Sequence, residues 1–389
     1  GYNQFIQELM DSSSWIYEFK PDFIFIALNS KTYLEELEFS IVDKGKKEVL
    51  ELIEEKLEFI QVALSREELK SKIIITNLDH FAHSPYGLMD IGREDGLHAA
   101  VENFNSGLIE LKRKKKNVEL MNFEKLCSIH GKKNMFDEKM FFLGKILLSE
   151  LGVETLAEEL VLFANASFGN NKKVLVVDLD NTLWKGVVGE DGPLGIKIGE
   201  GNIGEIYKEV QQVILNYKKL GVLIAITSKN NEKDVLEVFN VNKNMVLKEN
   251  DFIVKKINWQ PKSVSIQEIA KELNLGLDGF VFLDDNPAER LEVKSSLPMV
   301  EVIDFPEDVA YLPSVLREMP YFRPISITEE DKNRHEMYNQ EIKRNELKEG
   351  GSIEDYLLKL KTEITIKVND ETCVERIAQL INKTNQFNL

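Results

Sequence analysis

The stretch Val174-Leu175-Val176-Val177-Asp178-Leu179-Asp180-Asn181-Thr182-Leu183 decides how this chain is read. Four apolar, mostly β-branched residues predict a buried strand, and two carboxylates follow at its end, two positions apart. Residues i and i+2 project the same way on an extended chain, so Asp178 and Asp180 converge on one spot. In an open α/β sheet, that spot at the carboxyl end of a strand is where ligands bind. One carboxylate suits a covalent nucleophile, and its neighbour suits a proton donor or acceptor. Two carboxylates this close repel, so Mg²⁺ is the expected counter-charge.

Asp178-Leu179-Asp180-Asn181-Thr182 resembles the Asp-x-Asp-x-Thr signature of the haloacid dehalogenase (HAD) superfamily of phosphoryl-transfer enzymes. If Asp178 is a nucleophile, three features should follow along the chain. A strand should end in a Ser or Thr that hydrogen-bonds the phosphoryl group. A Lys should neutralise charge, and a later strand should end in acids that hold the cation. Gly221 to Asn230 (GVLIAITSKN) breaks at Thr227-Ser228; Ser228 is the expected hydroxyl, with Thr227 the alternative. Asn231-Glu232 opens the next helix, whose N-terminal N–H groups favour an anion. Gly279 to Arg290 (GFVFLDDNPAER) ends its strand in Asp284-Asp285. With Asp178 and Asp180, these two acids form the expected Mg²⁺ ligand set. Lys262, opening a helix after Asn258-Trp259-Gln260-Pro261, is the expected lysine, with Lys255 and Lys256 as competitors. The corresponding mechanism has Asp178 attacking phosphorus, Lys262 and Mg²⁺ offsetting charge, and Asp180 acting as general acid and then base.

Outward from this site, residues 174 to about 320 alternate strand and helix, with strands at 174–178, 222–227, 280–284 and 299–303 and helices near 204–220, 231–239 and 263–274. This predicts a Rossmann-like α/β core at 172–322, a parallel sheet with helices on both faces. The segment from Trp184 to Ile198 reads as a Gly-rich flap, and no interval is long enough for a large cap domain. The site is therefore open, which suits a macromolecular substrate or an acceptor on a long arm. Residues 1–168 show strand-like runs at 23–28 and 73–76 and helical periods around 98–112 and 140–164, with Asn165 to Lys173 (NASFGNNKK) as a linker. Region 323–389 carries a charged helix at 329–348, then Gly350-Gly351, a strand at 363–368 and one more helix.

Lys+Arg 49 against Asp+Glu 66 gives a net charge of −17, which speaks against a nucleic-acid binder and an anionic membrane surface. The basic run Lys112 to Lys116 reads as a solvated helix end, with docking of an acidic protein the alternative. No apolar stretch approaches the ~18 residues that span a bilayer. Cys127 and Cys373 match no metal or disulfide spacing, so a reduced, cytoplasmic protein is expected.

Longer strings carry a closer resemblance. Asp178 to Gly192 (DLDNTLWKGVVGEDG), Ser228 to Asn231, Asn258 to Lys262 (NWQPK), Phe282 to Glu289 (FLDDNPAE) and Asn382 to Asn388 (NKTNQFN) are similar to the FkbH-like family. The resemblance implies glyceryl transfer in polyketide biosynthesis. Such proteins take D-1,3-bisphosphoglycerate, a small phosphorylated three-carbon substrate, and remove phosphate. They load the glyceryl unit as a thioester on the phosphopantetheinyl arm of an acyl carrier protein, and the acyl group is expected to pass through an enzyme cysteine. Thr182 and Asn230, which lie in these strings, are assigned to substrate binding.

Lys20 to Ser30 (KPDFIFIALNS) resembles a strand of SGNH-type hydrolase folds, with Asn29 where an oxyanion donor would sit. The Asp-x-x-His pair of that fold is not evident, since Asp137 is followed by Met140. Cys127 reads as a structural thiol on an amphipathic helix, and Cys373 sits at a helix start. His80 and His83 have metal-like spacing but read as structural. Asn382 to Leu389 resembles the entry into an acetyltransferase-like region. Both ends read as cut, and a nucleophilic cysteine upstream of Gly1 is the alternative to Cys127 and Cys373. The rival readings are a plain Mg²⁺-dependent phosphatase on a phosphoprotein or small metabolite, and a docking scaffold with a spent site.

Overall fold

Among the described residues, most strands are short apolar runs rich in Val, Ile and Phe. The computed structural model describes residues 4–66 and 69–349. The strand at 363–368, Cys373 and the segment 382–389 lie outside the described residues. The chain divides into two units, Gly1–Asn170 and Asn171–Leu389.

In the first unit, β1 (Phe23–Ile26), β2 (Lys72–Thr76) and β3 (Val118–Met121) form a parallel sheet in that order. Alternation assigns its two faces. Ile73 and Ile75 join a core with α1 (Lys46–Ala63) and α2 (Leu97–Lys114), whereas Ile74 joins Met121, α3 (Phe123–His130) and α4 (Glu150–Phe168). The expected helical period at 140–164 is two helices: Glu138–Gly144 ends on Lys145 in the left-handed region, and Ser149 then caps α4. Asp137 caps the first of these by accepting from the Met140 N–H at 2.9 Å. The expected linker at 165–173 is shorter than the composition suggests. Asn165 to Phe168 complete α4, and Gly169 terminates it at φ 74°. The basic run closes α2, where Lys112 pairs with Glu119 at 2.6 Å and the positive charges oppose the helix dipole.

In the second unit, β4 (Val174–Val177), β5 (Leu223–Ser228), β6 (Phe252–Ile257), β7 (Phe280–Leu283) and β8 (Glu301–Val302) are all parallel, in the order β6-β5-β4-β7-β8. All four β4 residues are buried, as a sheet covered on both faces requires. Leu175 and Val177 face α5 (Gly201–Lys219), α6 (Glu232–Val241) and α9 (Leu312–Glu318). Val174 and Val176 face α7 (Lys262–Leu273) and α8 (Pro287–Ser296). The last helix among the described residues, α10 (Glu329–Glu349), sets Tyr338 and Ile342 against that second face. Strand order reverses direction at β4: β5 and β6 lie to one side, β7 and β8 to the other. This is the switch point at which a ligand crevice opens beyond the strand ends. Between β4 and Lys262 the chain is filled by a flap, α5, β5, α6 and β6, with no inserted domain. No helix among the described residues is long and apolar enough to cross a membrane.

Candidate active site

Register decides which side chains meet. Val177 pairs with Leu283 on one side and Ile226 on the other, so the next residues, Asp178, Asp284 and Thr227, lie at one level; Asp178 and Asp284 follow their strands, while β5 continues through Thr227 to Ser228 beside β6. The Asp178 N–H donates to the Leu283 carbonyl at 2.9 Å, extending the ladder by one bond. A cavity of about 340 Å³ lies over these ends, lined among others by Asp178, Asp180, Ser228, Asn230, Lys262 and Asp284. A larger cavity of about 780 Å³ in the first unit sits beside residues leading into β1 and β2, and no pair of carboxylates meets there. Chemistry, not size, marks the smaller one as the candidate site.

Its centre is a buried charge cluster. Lys262 is only 4 % exposed and ion-pairs with Asp178 at 2.7 Å and with Asp284, which is wholly buried. Asp178, Asp284 and Asp285 each have a carboxylate oxygen within 4.8 Å of the others. Three carboxylates against one ammonium leave a local deficit of positive charge. Burial pushes Asp178 up to about 6; Lys262 opposes the shift and Asp284 adds to it. Burial likewise raises Asp284 and Asp285. For Lys262, burial disfavours the ammonium, but Asp178 and Asp284 outweigh it and the pKa is raised. An all-oxygen donor set short of positive charge fits a hard divalent cation. Lys255 pairs with Glu249 at 2.6 Å and Lys256 with Glu272 at 2.9 Å, so neither competes for this place.

The loop after β7 is held by local chemistry. Asn286 caps α8 by accepting from Ala288, Pro287 opens the helix, and the Asn286 N–H donates to Asp284 Oδ1 at 2.8 Å. Arg290 donates to the carbonyls of Asp284 and Asp285 at 2.8 and 2.7 Å. Thr182 departs from the expected substrate role. It is wholly buried outside the cavity lining, and its hydroxyl accepts from the Asp285 N–H at 3.1 Å, bracing the acidic loop. Ser228, not Thr227, faces the cavity, and Asn230 Nδ2 donates to Ser228 Oγ at 3.1 Å.

Asp180 lines the same cavity, and its side chain accepts three hydrogen bonds. Oδ1 accepts from Trp184 Nε1 at 2.9 Å and from the Val188 N–H at 3.1 Å; Oδ2 accepts from Asn230 Nδ2 at 3.0 Å. The turn that makes this reach needs Asn181 at φ 54°, a left-handed conformation that Asn tolerates. Gly186 follows at φ 113°, and a Cβ there would meet the Asp191 carboxylate, which accepts from Val187. Trp184 and the Lys229–Glu289 ion pair at the cavity rim (2.6 Å) were not expected from sequence. A buried Trp requires an N–H partner, so a Trp four residues after Asp180 was the available signal.

Asn29 belongs to the first unit, where it caps the short helix Ser30–Tyr33 by accepting from Thr32 at 3.0 Å. His80 meets not His83 but Glu102, at 2.9 Å, and stacks on His98 at 4.4 Å and 16°. His80, His98 and Glu102 each place a donor atom within 4.8 Å of the others, and Glu102 already holds the His80 ring. Cys127, the one thiol among the described residues, is 3 % exposed, and burial pushes it up to about 12. The native thiol should therefore resist aromatic disulfide reagents at mildly alkaline pH and react only after denaturation. Rapid labelling of Cys127 in the folded protein, mapped by peptide mass, would contradict its assignment as a packing residue.

Residues 1–161 match a family model described as the FkbH N-terminal domain. No curated protein matches the sequence. Among solved structures, the chain is similar to the N-terminal part of protein BF1531 from Bacteroides fragilis, which contains a phosphatase domain and was crystallised with Mg. The identity is 31 % over 84 % of this chain and 85 % of that one, with a TM-score of 0.76.

Proposed function

This chain belongs to the FkbH-like family, and from that premise we propose that it is a cytoplasmic, Mg²⁺-dependent HAD-type phosphatase that couples phosphate removal to loading a glyceryl unit from D-1,3-bisphosphoglycerate onto an acyl carrier protein. The observation that carries the phosphatase part is the buried cluster Asp178–Lys262–Asp284 at the switch point of the sheet. Asp178 attacks phosphorus and forms an aspartyl phosphate. Lys262 offsets charge on the phosphoryl oxygens, and the Ser228 hydroxyl and Asn230 amide face the same cavity as their hydrogen-bond partners. Asp180 gives its proton to a leaving oxygen that needs one, then takes a proton from the incoming acceptor. Bound Mg²⁺ would supply Lewis-acid charge neutralisation there, held by Asp178, Asp284 and Asp285.

The glyceryl part is supported by family membership and by a site without an inserted cap, which a phosphopantetheinyl arm can reach. A second reading, a phosphatase without acyl transfer, is favoured by Cys127, whose buried thiol is unsuited to carry an acyl group.

Intact-protein mass spectrometry separates the two. A phosphopantetheinylated carrier is incubated with the protein, Mg²⁺ and 1,3-bisphosphoglycerate while phosphate release is followed. A glyceryl mass on the carrier, with phosphate released, is the expected result. Phosphate release with an unmodified carrier would leave only the phosphatase.

A further inference from the structure

Asp180 is held in a way that distinguishes its two oxygens. A carboxylate oxygen offers two in-plane acceptor sites. At Oδ1 both are filled, by the Trp184 indole N–H at 2.9 Å and the Val188 N–H at 3.1 Å. At Oδ2 one is filled, by Asn230 at 3.0 Å, and one is left. Both donors to Oδ1 belong to the flap itself, and their side chains anchor it in the core. Trp184 is wholly buried with its ring edge-on to Phe239 at 6.4 Å, and Val188 is 2 % exposed. Asn230 lines the cavity and also bonds Ser228.

We propose that Trp184 is a positioning residue, which saturates Asp180 Oδ1 so that the catalytic proton travels only on Oδ2, the oxygen turned toward Asn230 and the cavity. The inference rests on the phosphatase reading above and extends it to a residue outside the cavity lining. With acetyl phosphate as probe, the two halves of the reaction differ in what they ask of Asp180. In the first, an Asp178 oxygen–phosphorus bond forms, the bond from phosphorus to the acetyl oxygen breaks, and acetate leaves as a carboxylate without needing a proton. In the second, water attacks phosphorus and the Asp178 oxygen–phosphorus bond breaks. One proton of that water passes to Oδ2 and inorganic phosphate is released. Trp184 therefore matters to the second half and not the first.

Trp184→Phe removes the donor and keeps an aromatic ring. Replacement of Trp184 by benzothienylalanine removes the donor and keeps the bicyclic shape, which guards against a packing defect in the first variant. Single-turnover mixing with Mg²⁺ and acetyl phosphate, quenched in acid and read by mass spectrometry, gives both rates. The expected result for each variant is phosphoenzyme formation within about twofold of wild type and hydrolysis slowed roughly tenfold, a fraction of the ~10²–10⁴ of a full general base, so that the adduct accumulates. Both steps slowed in parallel, or neither slowed, would overturn the proposal. Absence of any adduct or turnover in the wild type would instead remove the phosphatase reading, and this inference with it.

Discussion

Asp178→Asn is expected to lower Mg²⁺-dependent phosphate release by on the order of 10⁴-fold or more, in line with removal of a covalent nucleophile elsewhere. The amide has the shape of the carboxylate but no charge with which to attack. The fold should not suffer. Asp178 titrates well above the ordinary carboxylate value because it is buried. A group raised in this way contributes fully below its unfolded pKa of about 3.9, and that contribution is lost as pH rises through its folded pKa. Ionised Asp178 is thus a net burden near neutrality, and the amide escapes it. Lys262 meanwhile keeps its contact with Asp284. Thermal melting at or above the wild-type midpoint, together with lost phosphate release, is the expected pair of results. A well-folded variant that retains release would exclude Asp178 as nucleophile.

Lys262→Met should damage both function and stability. Among the described residues its ammonium is the one side-chain cation in ion pairs with Asp178 and Asp284, and all three groups are buried. Removing one member of a buried ion cluster leaves the other charges uncompensated, at about 3–5 kcal/mol. Methionine keeps the stem volume, so little of the loss should come from a cavity. Millimolar Mg²⁺ should restore part of the stability, because the same carboxylates would hold it and ligand binding favours the folded state. Phosphate release should stay low even then, since the phosphoryl oxygens have lost their lysine. Urea unfolding with and without Mg²⁺ checks this. A loss below about 1 kcal/mol would mean that the cluster is better solvated than its burial indicates.

The second unit was legible because its signals are local and repeated. β4, β5 and β7 are short apolar runs that end in Asp178-x-Asp180, Thr227-Ser228 and Asp284-Asp285, with Lys262 opening a helix between the last two, and Asp178, Ser228, Lys262 and Asp284 line one cavity. What sequence could not resolve were choices that depend on partners distant along the chain. Thr182 looked like a ligand-facing hydroxyl, but its hydrogen bond lies 103 residues away, on the Asp285 N–H. Likewise the hydrogen bonds that hold Asp180, from Trp184, Val188 and Asn230, include one partner fifty residues away.

The first unit was less legible. β3 has four residues and carries Glu119 in its middle, with a basic run just before it, so neither period nor composition marks it. Glu119 is tolerated there because Lys112, seven residues back on α2, pairs with it. Likewise Asn165 to Phe168 read as linker from their composition, while their backbone completes the last turn of α4.

The most direct measurement is the acid-quenched mass of the wild-type protein mixed for a short time with acetyl phosphate and Mg²⁺. Asp178 as nucleophile requires a phosphoryl adduct that needs Mg²⁺, maps to Asp178 and is missing in Asp178→Asn. Turnover of the same substrate with no adduct at any quench time, or with the adduct on another residue, would contradict it.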